Sequence, residues 1–156
     1  MLSRRVVTTM AVLLGTGLVS VGLPAMAQTV RLDLANEYGA NALVARADQD
    51  FINTVKEKSG GAIDITPQFG GALGFKSKDH FDAVASGIIP IAGSYAGAFV
   101  GIDPIFQLSG VPFLTPTFAD AERLSGIARP AYDNIFRKNN QMLLYVSPFT
   151  LVGIWA

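Results

Sequence analysis

Residues 62–74, AIDITPQFGGALG, decide how the rest of the chain is read. Ile63 and Ile65 alternate with Asp64 and Thr66, the period of a strand with two different faces, and Pro67 is expected to stop it. The glycine pair Gly70-Gly71 then opens a loop towards a helix. In an open α/β sheet, loops at the carboxyl ends of the strands face the crevice where small molecules bind. Glycine lets backbone approach such a molecule with no Cβ between them. The loop 69–74 is therefore a candidate ligand wall, although a Gly-Gly pair also serves simply to turn a chain.

Upstream, residues 30–35, VRLDLA, alternate Val30, Leu32 and Leu34 inward as a first strand, followed by the loop Asn36-Glu37-Tyr38-Gly39. A helix is expected over 41–58, with Val44, Ala47, Phe51 and Val55 on its apolar face. Lys56 and Lys58 suit the negative end of its dipole, and Gly60-Gly61 ends it. Strand, helix and strand make a right-handed βαβ unit.

Downstream, Ser77 caps a helix over 77–86, with His80 between Asp79 and Phe81 read as a solvated surface residue. Residues 88–92 form a third strand, apolar on both faces and therefore central, although Pro90 argues against full pairing. Gly93, Gly97 and Gly101 recur at spacing four. Too few apolar residues surround them to span a bilayer, so close backbone packing in a core is their reading. Asp103-Pro104 and Thr117 with Asp120 mark two further helix starts, Pro130 a third with Tyr132, Ile135 and Phe136 buried, and residues 141–146 a fourth strand.

The amino terminus reads as a targeting segment. Arg4 and Arg5 precede an apolar run, and Ala25-Met26-Ala27 supplies an A-x-A site, so residues 1–27 form a signal peptide cleaved before Gln28. The competing reading is an uncleaved anchor, and Ser3-Arg4-Arg5 hints at twin-arginine export. The chain has twelve basic and twelve acidic residues. Loss of Arg4 and Arg5 leaves an acidic excess of two, which offers no basic face for nucleic acid. No cysteine is present, so no disulfide framework exists.

The catalytic inventory is thin. One histidine and no cysteine cannot build a common zinc site, and Asp48 and Asp50 lack a glycine-containing calcium loop. Gly93-Ser94-Tyr95-Ala96-Gly97 puts its serine one position early for a nucleophile elbow. Neither dinucleotide nor P-loop glycine motifs occur after residue 28, so no cofactor, metal or enzymatic role is expected. What remains are strand-end loops: Asn36, Glu37 and Tyr38; Phe69, Gly70 and Gly71; Ser94 and Tyr95; Phe149 and Thr150. Aromatic walls, a few polar groups and glycine describe a small-molecule binding site. On this reading Tyr38, Gly71 and Tyr95 share one end of the sheet.

The ordered set VRLDLA, KEKSGG, IDITP and FGGALG resembles the solute-binding subunit of TRAP-type transporters, the DctP family. GVPFL followed by FADAERL, and the later QMLLYV, are similar to segments of the same family. The resemblance covers 28–156. It implies an α/β, periplasmic-binding-protein-like lobe with a mainly parallel sheet flanked by helices, over residues 28–146. Residues 147–156 would begin the crossover to a second lobe that is missing, and the apolar finish IWA reads as an interrupted chain. The implied role is periplasmic capture of a small organic solute, an organic acid by the pattern of this family, and its delivery to TRAP transporter membrane subunits. Family members typically hold a ligand carboxylate with an arginine of the second lobe, and many also carry one in the segment matching 150–153. Here that segment is Thr-Leu-Val-Gly, which points to another solute or other contacts. The alternatives are the ligand-binding domain of another exported binding or sensor protein, or an exported hydrolase lacking a visible nucleophile and base.

Overall fold

The computed structural model describes residues 29–147; the proposed signal segment and Phe149 and Thr150 lie outside them. The chain runs β1 (Val30–Asn36), α1 (Leu43–Lys58), β2 (Ile63–Gln68), α2 (Ser77–Ala85) and β3 (Ile91–Gly93). Two 3-10 segments, Ala96–Phe99 and Pro104–Gly110, lead to α3 (Phe118–Lys138). The three strands form one parallel sheet in the order β2-β1-β3. Val30 lies opposite Ile63 and Leu34 opposite Pro67 on one side of β1, and Leu34 opposite Ile91 on the other.

Several expectations are corrected. Pro67 lies inside β2 rather than ending it, because β2 is an edge strand and its missing N–H faces no partner. The central strand is β1, not the 88–92 segment, and its carboxyl half Leu34, Ala35 and Asn36 is the part fully covered. The third strand starts only at Ile91, since Pro90 cannot join a ladder. Residues 141–147 pair with no strand among the described residues. They are instead tied by side chains: the Arg129 guanidinium donates to the carbonyls of Leu143 and Leu144, both at 3.1 Å.

The two helices expected on either side of Pro130 are one. Thr117 Oγ1 accepts the Asp120 amide at 3.2 Å, so the capping signal marks the true start. Pro130 removes one helical donor, but Pro130 and Gly126, whose carbonyl would have accepted it, both face solvent. Water can serve that carbonyl, and the helix continues to Lys138.

Three apolar masses hold these layers among the described residues, the smallest joining Ala35 of β1, Ala83 of α2 and Ile89. Leu34, Ile52 and Ile65 join β1, α1 and β2, with Leu32, Phe51 and Val55 against them. The face of α1 is turned from the expected one: Ala45, Asp48 and Ile52 are its buried residues. The second mass is aromatic, built from Phe81, Phe99, Phe106, Tyr132 and Phe136. Phe106 stacks on Tyr132 with ring centroids 5.0 Å apart and meets Phe99 edge-on at 5.6 Å. This cluster fastens α3 to α2 and to the two 3-10 segments, which follow β3.

Candidate functional site at the carboxyl rim of the sheet

Parallel strands put all their carboxyl ends on one side, so Asn36, Gln68 and Gly93 lead into neighbouring loops. Gly70 and Gly71 both adopt positive φ, 69° and 70°, a conformation strained for any side-chain-bearing residue. This turn aims the Gly70 amide at the Tyr38 carbonyl (2.9 Å) and the Gly71 amide at the Asn36 carbonyl (3.0 Å). The loops after β1 and β2 are thereby stitched by backbone. Tyr38 also lies within electrostatic reach of Tyr95: burial pushes its phenol above the ordinary value, and Glu37 and Tyr95 add to the shift. Asn36, Glu37, Tyr38, Phe69, Gly70, Gly71, Ser94 and Tyr95 thus all border one rim, with Tyr38, Gly71 and Tyr95 at the same end of the sheet.

Beneath the rim is a polar layer in which Asn36, a candidate site residue, meets partners that the sequence reading did not single out. Asn36 is 2% exposed; its Nδ2 donates to Asp48 Oδ2 at 2.5 Å, while its Oδ1 accepts the Tyr38 amide at 2.8 Å. Asp48, buried on α1, also accepts a short hydrogen bond from the Tyr145 hydroxyl. Burial, then the bond to Asp48 and its charge, push the Tyr145 phenol far above its ordinary value. Gly93 closes over this group: a Cβ there would stand 2.8 Å from Asp48 Oδ2 and 2.9 Å from Asn36 Nδ2. Close packing is therefore the reason for glycine at 93, whereas Gly101 has open space beside it.

The first turn of α2 supplies the rest. Ser77 is not the cap but the first helical residue; its hydroxyl donates to Glu37 Oε1 at 2.5 Å and accepts the Tyr95 amide at 3.2 Å. His80 is not on the surface: it is 1% exposed, with Nδ1 and Ser94 Oγ 2.7 Å apart. The helix that carries it packs its inner face under the rim, and the flanking charge of Asp79 points elsewhere. Asp48, weighed from the sequence only with Asp50 as a calcium ligand, lies in phase with the buried Ala45 and Ile52.

Burial pushes the His80 imidazole below its ordinary value of about 6.5, against Glu37, the Phe75 carbonyl and Asp79, which favour the charged ring. The unfolded chain then takes up a proton near pH 6.5 that the native chain refuses. Native stability is accordingly unaffected by this group above about pH 7, and declines as pH falls through about 6.5 towards the depressed native value. Urea denaturation of the chain at intervals between pH 7.5 and 5.5 should show that decline, and His80→Gln should flatten it.

A shallow depression of about 430 Å3 lies elsewhere, against α1 and residues 145–147, with Phe51, Thr54 and Tyr145 among its walls and none of the rim residues. It is open and mainly apolar, and it gathers none of the polar groups that the rim does. Among the described residues, no group of three or more histidine, cysteine or carboxylate side chains could hold a metal ion, and no helix is long and apolar enough to cross a membrane.

Residues 34–147 match the family model described as "Bacterial extracellular solute-binding protein, family 7", DctP. No curated protein matches the chain. Among solved structures, the chain is similar to DctP6 of Bordetella pertussis, an extracytoplasmic solute receptor binding pyroglutamic acid, at 27% identity and a TM-score of 0.71. That match covers 74% of this chain and 38% of the receptor. A marine metagenome TRAP solute-binding protein specific for pyroglutamate matches at 27% identity and a TM-score of 0.70, over 76% of this chain and 38% of its own. A TRAP periplasmic solute-binding protein from a Sulfitobacter species, with β-D-galacturonate bound, shares the fold at 19% identity and a TM-score of 0.61, over 70% and 36% of the two chains. The chain thus spans little more than a third of the length of these proteins and corresponds to one lobe of their fold. With its parallel sheet, its flanking helices and a family match running from β1 to Ser147, the chain belongs to the DctP family of bacterial extracellular solute-binding proteins.

Proposed function

We propose that this chain supplies one half of a solute-binding cleft, which captures a small organic acid outside the inner membrane for delivery to TRAP-type membrane subunits. The observation that carries the reading is the single rim on which the loops after β1, β2 and β3 meet. On this reading Asn36, Glu37, Tyr38, Phe69, Gly70, Gly71, Ser94 and Tyr95 form the solute wall, and Phe149 and Thr150 extend it. Residues 1–27 act as a cleaved export signal, 28–146 form the first lobe, and 147–156 begin the crossover. The role is binding without catalysis.

Pyroglutamate is the favoured first solute, because DctP6 and the metagenome protein are named for binding it. Glu37 Oε1 is taken by Ser77 while its charge remains, and the other rim side chains are neutral polar groups and aromatic rings. A ligand drives lobe closure only through contacts made in the closed form and missing in the open one, and those contacts need both lobes. Residues 28–156 alone are therefore expected to bind pyroglutamate weakly. Calorimetry should give no micromolar binding, while amide resonances of Tyr38, Gly71 and Tyr95 should move at millimolar pyroglutamate. Micromolar affinity would refute the half-cleft reading, and shifts confined to residues away from the rim would refute the site.

A further inference from the structure

His80 is the sole histidine of the chain and sits one turn into α2. Its ring is almost fully enclosed: Nδ1 shares a proton with Ser94 Oγ, and Nε2 is buried with no hydrogen-bond partner. Three residues earlier, Ser77 accepts the amide of Tyr95. Two side chains from one helical turn therefore carry two successive residues of the rim loop. Ser94 and Tyr95 follow β3, which is only three residues long, and these two hydrogen bonds tie them to α2.

We propose that His80 is a positioning residue of the solute site, which holds the Ser94–Tyr95 loop in its binding conformation while the imidazole is neutral and releases it on protonation. The inference rests on the reading of the rim as a solute wall. A neutral ring has one N–H and one lone pair, and Ser94 Oγ satisfies Nδ1 in either tautomer. An imidazolium has two N–H groups. Ser94 can serve Nδ1–H, but Nε2 has no hydrogen-bond partner in the folded packing. The Phe75 carbonyl, the backbone acceptor that favours the charged ring, must be brought into bonding geometry, so the charged ring is accommodated only if the helix and its neighbours shift. The charges of two carboxylates act on the ring, Glu37 just after β1 and Asp79 on α2 itself, and both favour the charged form. Glu37 is already held by Ser77, so a charged His80 that draws Glu37 towards it also loosens the seat of the Tyr95 amide. Linkage makes the effect reciprocal: a solute that binds the seated loop must make His80 harder to protonate.

A chain with a single histidine makes this directly measurable by NMR of the labelled chain. The ring resonances of His80 are followed from pH 8 to 5, with and without sodium pyroglutamate at millimolar concentration. The amides of Ser94 and Tyr95 are expected to titrate with the same midpoint as the ring. Pyroglutamate is expected to lower that midpoint, by about half a pH unit if it favours the neutral form threefold. His80→Asn, which keeps a hydrogen-bonding group but cannot titrate, should retain the neutral-pH positions of both amides and abolish their pH dependence. Amides that stay fixed while the ring titrates would overturn the proposal, and the wild-type chain alone decides this if the variant fails to fold. If pyroglutamate moves Tyr38 and Gly71 but leaves the His80 midpoint unchanged, the positioning role fails and the solute site stands. If it moves none of the rim amides, the solute reading fails, and the loop coupling is still judged by the solute-free titration.

Discussion

Replacing Asp48 by alanine should destabilise the chain by about 3–4 kcal/mol, since hydrogen bonds to a buried charged group contribute roughly 1.5–3 kcal/mol each. The carboxylate is 4% exposed and receives the Asn36 amide and the Tyr145 hydroxyl. Without it, two buried donors lose their acceptor, and Gly93 no longer closes against a filled site. The damage should spread in a set order. Asn36 orients the Tyr38 amide, so the loop after β1 loosens, and Tyr145 is released from α1. Asp48→Asn keeps the shape and one acceptor oxygen, and should cost about half as much. Urea denaturation gives the stabilities, and amide hydrogen exchange at Tyr38 reports whether the loop has loosened. A loss below about 1 kcal/mol for Asp48→Ala would mean that burial of the charge nearly offsets its bonds, and that apolar packing holds this layer.

Phe106→Ala should be comparably severe, about 3–5 kcal/mol, the usual range for removing a buried aromatic ring. Phe106 is 1% exposed and touches three rings, stacking on Tyr132 and meeting Phe99 and Phe136 edge-on at centroid distances of 5.6 Å. Phe99 and Phe136 could move into the cavity only by giving up their contacts with each other and with Phe81. Phe106→Leu, which refills part of the volume, should recover roughly half of the loss. Because the cluster joins α3 to α2, Phe106→Ala should also lower protection of the α2 amides, whereas a variant that left α2 untouched would show that α3 docks independently.

The backbone plan was legible where local chemistry acts alone. Period-two alternation at Ile63 and Ile65, apolar spacing along α1 and the Thr117–Asp120 cap each located an element. The Gly70-Gly71 turn was legible as well, since only glycine takes two successive positive φ values without strain. Legibility ended where a residue's fate depends on what packs against it. Residues 141–147 have the composition of a strand, but a strand needs a neighbour to pair with, and here Arg129 and Asp48 hold the segment instead. Pro130 looked like a boundary because a helix interior usually excludes proline. It is tolerated because its side of α3 faces water.

The sequence by itself determined the order of β1, α1, β2, α2 and β3, and hence the rim, because parallel strands joined by helices must end on one side. Only the tertiary structure decided which polar residues stand behind that rim. Asp48, Ser77 and His80 lie in polar surroundings along the chain, and nothing local separates a solvated carboxylate or imidazole from a buried one. Their burial was set by partners distant in sequence, Asn36 and Tyr145 for Asp48, Glu37 and Tyr95 for Ser77, and Ser94 for His80. A buried polar group is tolerable only where such partners converge, and convergence is a property of the folded chain alone.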